Sequence, residues 1–193
     1  MRELVKMVLV LSIIGTVSGY GLATLKQATR PAIEEQVLTY VQGPALLGVL
    51  QGVDNNPIQD RKQLPMADGE ELTVFPGFKD GNLCCLAFES FAPGYSGDIG
   101  VMVAFDVLSD QVRAVGVTTQ TETPGVGTRV FVPAFCDQFR EHPLTKLALK
   151  SGDGDIDAVS GATISSNAMV NAVQKAAALY PELKERAVAA WQE

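Results

Sequence analysis

Histidine is almost missing from this sequence: His142 is the single one, beside Pro143 in a polar stretch. A lone histidine offers no partner at metal-ligand or catalytic spacing, and it reads as a loop residue. Cysteine is nearly as scarce, with only Cys84, Cys85 and Cys136. They form no zinc or cluster spacing. Neighbours on a strand point to opposite faces, so Cys84 and Cys85 are expected to face apart and a disulfide between them would be strained. All three read as small buried hydrophobes; an extracytoplasmic setting permits a bridge from Cys136 to one of the others, but no spacing supports it. Positive charge is outnumbered, with 15 Lys and Arg against 22 Asp and Glu, which argues against a nucleic-acid partner. Gly152-Asp153-Gly154 lacks the lysine of a phosphate loop and the spacing of a dinucleotide fingerprint. The acidic run Asp153, Asp155, Asp157 lacks the twelfth-position Glu of a calcium loop. No internal repeat or low-complexity stretch is present.

What the chain does have begins at its start. From Met7 to Leu25 no residue is charged. As a helix that stretch spans roughly 28 Å, close to the hydrocarbon thickness of a bilayer. Arg2 and Lys6 precede it, which places the N-terminus in the cytoplasm and the remainder outside. Gly15, Ser18, Gly19 and Ala23 are the small residues that membrane helices use to pack together. A cleavable signal peptide is the competing reading, and it leaves the domain on the same side. The expected organisation is an anchor over residues 1–30, a connecting segment over 31–71 and a domain over 72–193.

Pro31 to Leu38 suits a short helix, and the Gly-Pro, Asn-Asn-Pro and Leu-Pro steps between Gly43 and Met66 mark turns. Four strand-like runs follow at Leu72–Phe78, Asn82–Ser90, Asp98–Val107 and Gln111–Gln120, with short turns between them that imply antiparallel pairing. Phe131–Phe139 and Leu144–Leu149 read as short helices. From Thr163 onward Met169, Ala172, Val173, Ala176, Leu179 and Tyr180 recur at helical spacing. Pro181–Trp191 reads as a separate last helix, with Pro181 in its first turn. Strands followed by helices predict an α+β fold, an antiparallel sheet packed by helices.

The run Asp157-Ala158-Val159-Ser160-Gly161-Ala162-Thr163 carries the most chemistry. A helix start presents unpaired N–H groups and a positive dipole end, which suit a phosphate. Thr163 stands where its hydroxyl meets such a phosphate; the plainer alternative is an N-cap threonine. Glu122-Thr123-Pro124-Gly125-Val126-Gly127 is a stiff loop, since Pro124 fixes φ and its glycines permit positive φ. Its backbone either forms a structural turn or lies along the edge of a flat polar ring.

Asp157-x-x-Ser160-Gly161-Ala162-Thr163 resembles the target motif of flavin transferases, which attach FMN to Thr or Ser through a phosphoester. Gly94-Tyr95-Ser96-Gly97-Asp98-Ile99 and Thr121-Glu122-Thr123-Pro124-Gly125-Val126-Gly127 are similar to the GY-x-G-x-I strand and ETPGLG loop of the FMN-binding domain of RnfG and NqrC. Those are flavin subunits of the Rnf and Na⁺-NQR respiratory complexes. Val126 stands where the family has Leu, which keeps a branched apolar side chain. The resemblance covers roughly residues 72–180, and the short chain favours the RnfG branch.

The resemblance implies covalent FMN on Thr163 and an electron-transfer role without independent catalysis. The host would be an inner-membrane complex that moves electrons between ferredoxin and NAD⁺ and couples them to Na⁺ or H⁺ transport. Expected partners are the other membrane subunits, a maturing flavin transferase and lipid. Expected cofactor contacts are Thr163, Ser160, Gly161, Ala162, Asp157, Tyr95, Glu122, Thr123, Gly125 and Val126. Ser160 bonds the phosphate or merely holds the turn. Asp157 holds the transferase's Mg²⁺ or orients the turn. Tyr95 stacks near the ring or fixes its own loop, and Glu122 accepts from loop N–H groups or from the flavin. An NqrC-like flavoprotein of another electron chain and a non-redox anchored domain are the alternatives.

Overall fold

The computed structural model describes residues 2–67, 69 and 71–191. Two compact units are present, one up to Tyr40 and one from Val41 onward. The first is the helix α1, Arg2–Gln36, which continues through Pro31, where a separate short helix was expected. Its Arg2–Arg30 portion is long and apolar enough to cross a membrane, and none of its most apolar stretch is buried.

The second unit begins with α2, Gly43–Val49. A six-stranded antiparallel sheet follows in sequence order: β1 Lys62–Pro65, β2 Glu71–Lys79, β3 Asn82–Pro93, β4 Asp98–Asp106, β5 Gln111–Thr119 and β6 His142–Pro143. The four expected strands are β2 to β5, within a few residues. The two edge strands escaped the sequence because they are short and carry prolines, which edges tolerate. Within the expected connecting segment 31–71 lie α2 and the edge strand β1.

Helix α4, Thr163–Trp191, covers one face of the sheet. Its buried stripe of Met169, Ala172, Val173, Ala176, Tyr180, Leu183 and Ala187 meets Leu86, Phe88, Val101, Val103 and Phe105. Tyr180 stacks on Phe105 at 4.5 Å between ring centroids, and Phe105 in turn on Phe88 at 5.5 Å. Burying each such large side chain contributes roughly 1.5–3 kcal/mol. The helix runs straight through Pro181, so the separate last helix is not there. Buried anchors on both sides of the proline, Tyr180 before it and Leu183 and Ala187 after it, hold the helix across one missing hydrogen bond. Helix α2 covers the other face, where Ala45 and Val49 lie against Gly116 so closely that a Cβ there would meet Ala45 O at 3.2 Å.

Between β5 and α4 the chain makes a 3₁₀ turn at Gly127–Phe131, then α3, Pro133–Cys136, then another 3₁₀ turn at Asp137–Phe139. Leu144–Leu149 is not helical as expected. Lys146 has positive φ, and Leu149 instead forms a parallel bridge to Ile156 while Leu147 and Leu149 plug the core.

Candidate functional site

At one end of the sheet three segments converge: the β3–β4 loop at Gly94–Gly97, the chain leaving β5 at Glu122–Gly127, and the start of α4. They enclose a cleft of about 530 Å³ lined by Tyr95, Glu122, Thr123, Val126, Gly127 and the stretch from Gly161 to Ser165. That volume lies within the range of small-molecule and cofactor sites.

The start of α4 leaves Thr163 unengaged. The helical ladder opens with the Ser166 N–H donating to the Ala162 carbonyl at 2.9 Å, so Ala162 occupies the N-cap and Thr163 is the first helical residue. The alternative reading of Thr163 as an N-cap fails on this geometry. Alanine offers no capping side chain, and the N–H groups of Thr163, Ile164 and Ser165 precede the ladder. Ser166 steadies the approach by donating its hydroxyl to the Ala162 carbonyl at 2.9 Å and accepting the Val159 N–H at 3.1 Å. Among the described residues the exposed Thr163 hydroxyl has no hydrogen-bond partner.

Two similar turns flank the cleft. In Val159-Ser160-Gly161-Ala162 the Ala162 N–H donates to the Val159 carbonyl at 2.9 Å, and Gly161 has φ +80°. In Thr123-Pro124-Gly125-Val126 the Val126 N–H donates to the Thr123 carbonyl at 3.2 Å, and Gly125 has φ +74°. Both follow the type II pattern, which requires positive φ at its third residue; in the second, proline also fills the favoured second position. Arg129 ties one to the other by donating to the Ser160 carbonyl at 3.2 Å.

Glu122 is the buried hub, only 4% exposed. Its Oε1 accepts the Tyr95 N–H at 2.9 Å and the Ser96 N–H at 3.0 Å, while Oε2 accepts the Ser165 hydroxyl at 2.5 Å. One carboxylate thereby fastens the β3–β4 loop to the exit of β5 and the first turn of α4. Burial pushes its carboxyl upward, but the Ser165, Ser96 and Tyr95 hydrogen bonds together outweigh that and hold it below the ordinary value. The fit is tight: a Cβ on Gly127 would meet Glu122 Oε2 at 2.6 Å, and one on Gly94 would meet Oε1 at 2.5 Å.

Of the residues expected at the site, Thr163, Gly161, Ala162, Tyr95, Glu122, Thr123 and Val126 line the cleft. Ser160, Asp157 and Gly125 do not. Asp157 is exposed and occupied by Lys150 at 2.6 Å, and its N–H donates to Gln138 at 2.7 Å. Gly125 is exposed at the tip of its turn, with nothing within 4 Å of its open side. Tyr95, Val126 and Ile164 expose 69%, 49% and 53% of their surface. Apolar groups that open to water around a cleft are suited to cover a flat ring.

Over 173 residues this chain is 34% identical to the G subunit of the ion-translocating oxidoreductase complex of Salmonella typhimurium, an overlap of 83% of this chain and 82% of that one. The chain belongs to this G-subunit family. The family member from Methanosarcina acetivorans is 30% identical over 158 residues, covering 72% and 81% of the two chains. That from Haemophilus influenzae is 39% identical over 107 residues, and the match spans only about half of that relative, 51% of each chain. The model of the FMN-binding domain matches residues 94–178, which include every residue that lines the cleft. Among solved structures, the C subunit of the Na⁺-translocating NADH-quinone reductase of Parabacteroides distasonis shares the fold. The TM-score is 0.53 at 18% identity, over 70% of this chain and 73% of that chain.

Sequence reading missed Ser165, Ile164 and Arg129, and named Gly127 only as part of the stiff loop Glu122–Gly127. Ser165 looks like one more small helix residue, and only the fold brings it to Glu122, 43 positions away. Gly127 carried a signal, because a second glycine two residues after a turn glycine often marks a close approach.

Proposed function

We propose that this chain is the electron-carrying flavoprotein subunit of a membrane-bound Rnf-type complex, with FMN held through a phosphoester to Thr163. One observation carries the reading: Thr163 stands first in α4, with an unbonded hydroxyl at the lip of a cleft of cofactor size. The three N–H groups that precede the helical ladder suit a phosphate beside that hydroxyl. Ala162 and Gly161 leave room for it to approach the backbone. Tyr95, Val126 and Ile164 would cover the ring, and the backbone of Thr123 to Gly127 would meet its polar edge. Ser160 and Asp157 would act from outside the cleft, on the phosphate or on the transferase that installs it.

FMN supplies the redox chemistry when bound, and the protein's part is to place it and set its surroundings. Tethering prevents loss of the flavin outside the cytoplasm. Glu122 keeps the three walls together, with three donors from the walls already on its carboxylate. In this reading α1 spans the bacterial inner membrane with its N-terminus in the cytoplasm, packs among other membrane subunits and leaves the cleft on the outer side. The complex would exchange electrons between ferredoxin and NAD⁺ and couple that flow to Na⁺ or H⁺.

The test is co-expression with a flavin transferase, followed by intact mass and ultraviolet fluorescence of the denatured chain. An added FMN mass and a fluorescent band are expected, both lost in Thr163→Val and partly kept in Thr163→Ser. A wild type that stays unmodified would overturn the assignment.

A further inference from the structure

Cys84 and Cys85 do not face apart as alternation predicts. Their sulfurs lie 3.2 Å from each other. The cause is a register shift between β2 and β3. Gly77 pairs with Cys85 and Phe78 with Leu83, so Cys84 is an extra residue with no partner on β2. Leu83 and Leu86 both join the core beneath α4, which leaves the two cysteines between them on the opposite side of β3. An inserted residue of this kind is a β-bulge, a feature that re-aims side chains.

The bulge sits opposite a glycine that makes room for it. A Cβ on Gly77 would lie 2.4 Å from the Cys85 sulfur, so any other residue there would occupy the space that the thiol fills. The Cys84 thiol contacts the Gly77 carbonyl at 3.3 Å. Cys84 is half-buried, whereas Cys85 is fully buried. This pair lies at the Asn82 end of β3, while the cleft lies beyond the Pro93 end. It therefore owes nothing to the flavin reading.

We infer that Cys84 and Cys85 form a redox-active vicinal dithiol, which an organic disulfide converts reversibly into a disulfide ring between the two adjacent residues. In the first step the Cys84 sulfur, as thiolate, attacks one sulfur of the oxidant. A mixed disulfide forms and one thiolate leaves. Cys85 then gives up its proton and attacks the Cys84 sulfur, which closes the ring and expels the second thiolate. Two protein thiols are oxidised, one organic disulfide is reduced to two thiols, and two electrons and two protons balance. Burial pushes the Cys85 thiol up to about 12, which makes it the slower, resolving partner. Adjacent Cα atoms are about 3.8 Å apart, shorter than the usual span of about 4.4–6.8 Å across a disulfide. Such a ring is strained, and strained disulfides are the labile, regulatory kind.

The test uses the full chain in detergent micelles, reduced and then exposed to excess oxidised glutathione. Remaining thiols are tagged after an acid quench, and the product is mapped by mass spectrometry. The reduced chain should tag at three cysteines and the oxidised chain at one, Cys136. The peptide with Cys84 and Cys85 should lose two hydrogens, and dithiothreitol should restore all three tags. Cys136→Ser should still close the ring, and Cys84→Ser should not. A lasting glutathione adduct on Cys84, a bridge to Cys136, a bridge between two chains, or three unchanged thiols would each overturn the proposal.

Discussion

Replacing Glu122 by Gln tests the buried hub with almost no change of shape. In the wild type three donors reach one carboxylate at 2.5 to 3.0 Å. A hydrogen bond to a charged acceptor contributes about 1.5–3 kcal/mol and a neutral one about 0.5–1.5. The amide keeps an oxygen for Tyr95 and Ser96, and its NH₂ can donate to the Ser165 oxygen. The variant thus loses the charge assistance of three bonds, roughly 3 kcal/mol, and recovers about 1 kcal/mol because no charge is buried. The net cost is about 2 kcal/mol, or on the order of 4–8 °C in Tm for a domain of this size. Trp191 is the sole tryptophan and is half-buried at the end of α4, so its fluorescence reports unfolding of the flavin-free chain in urea. The dependence on pH makes the test specific. Because the folded carboxyl lies below its ordinary value of about 4.5, its contribution is fully present above that value. It vanishes as pH falls through the lowered folded value, whereas the amide of the variant does not titrate. The stability gap between wild type and Glu122→Gln should therefore be full at pH 7 and close in acid. Equal stability at pH 7, or two curves that stay parallel below pH 4.5, would refute the assignment of the charge to these bonds.

Gly127→Ala should destabilise the apo domain by about 1–3 kcal/mol, since its methyl would collide with Glu122; a urea midpoint equal to wild type would mean the contact is slack. Gly125→Ala meets no neighbour but must hold φ +74°, so a loss of about 1–2 kcal/mol is expected in urea unfolding of the apo domain; an unchanged midpoint would mean the turn relaxes at no cost. A reporter that works only outside the cytoplasm, fused behind α4, should be active. Activity of a cytoplasm-only reporter there would refute the proposed orientation.

The sequence showed the central sheet well because β2 to β5 are rich in apolar and β-branched residues and are bounded by Gly and Asp turns. It showed the cleft partly, because a stiff Pro-Gly turn and a Ser-Gly-Ala-Thr helix start are local features. What it hid was nonlocal. The bond from Ser165 to Glu122 leaves no trace in either neighbourhood. The bulge at Cys84 depends on β2 sliding by one residue against β3, although Leu83-Cys84-Cys85-Leu86, apolar throughout, already broke the alternation. Pro181 misled because the penalty for a helical proline is local, whereas the packing that offsets it extends for two turns on each side.

Thr163 belongs to the first turn of a helix whose first buried apolar positions, Ala168 and Met169, are sealed against the sheet. Its setting therefore rests on tertiary packing. In the folded chain the turn at Ser160-Gly161, the anchored Ser165 and the open hydroxyl are held beside β3, β4 and β5 by the donors that Glu122 collects. An enzyme that modifies this hydroxyl in that setting meets a finished surface, not a linear peptide. If Thr163 carries the proposed phosphoester, maturation would act as an inspection: a chain with a misfolded sheet would not display the acceptor, and only correctly folded copies would carry a cofactor.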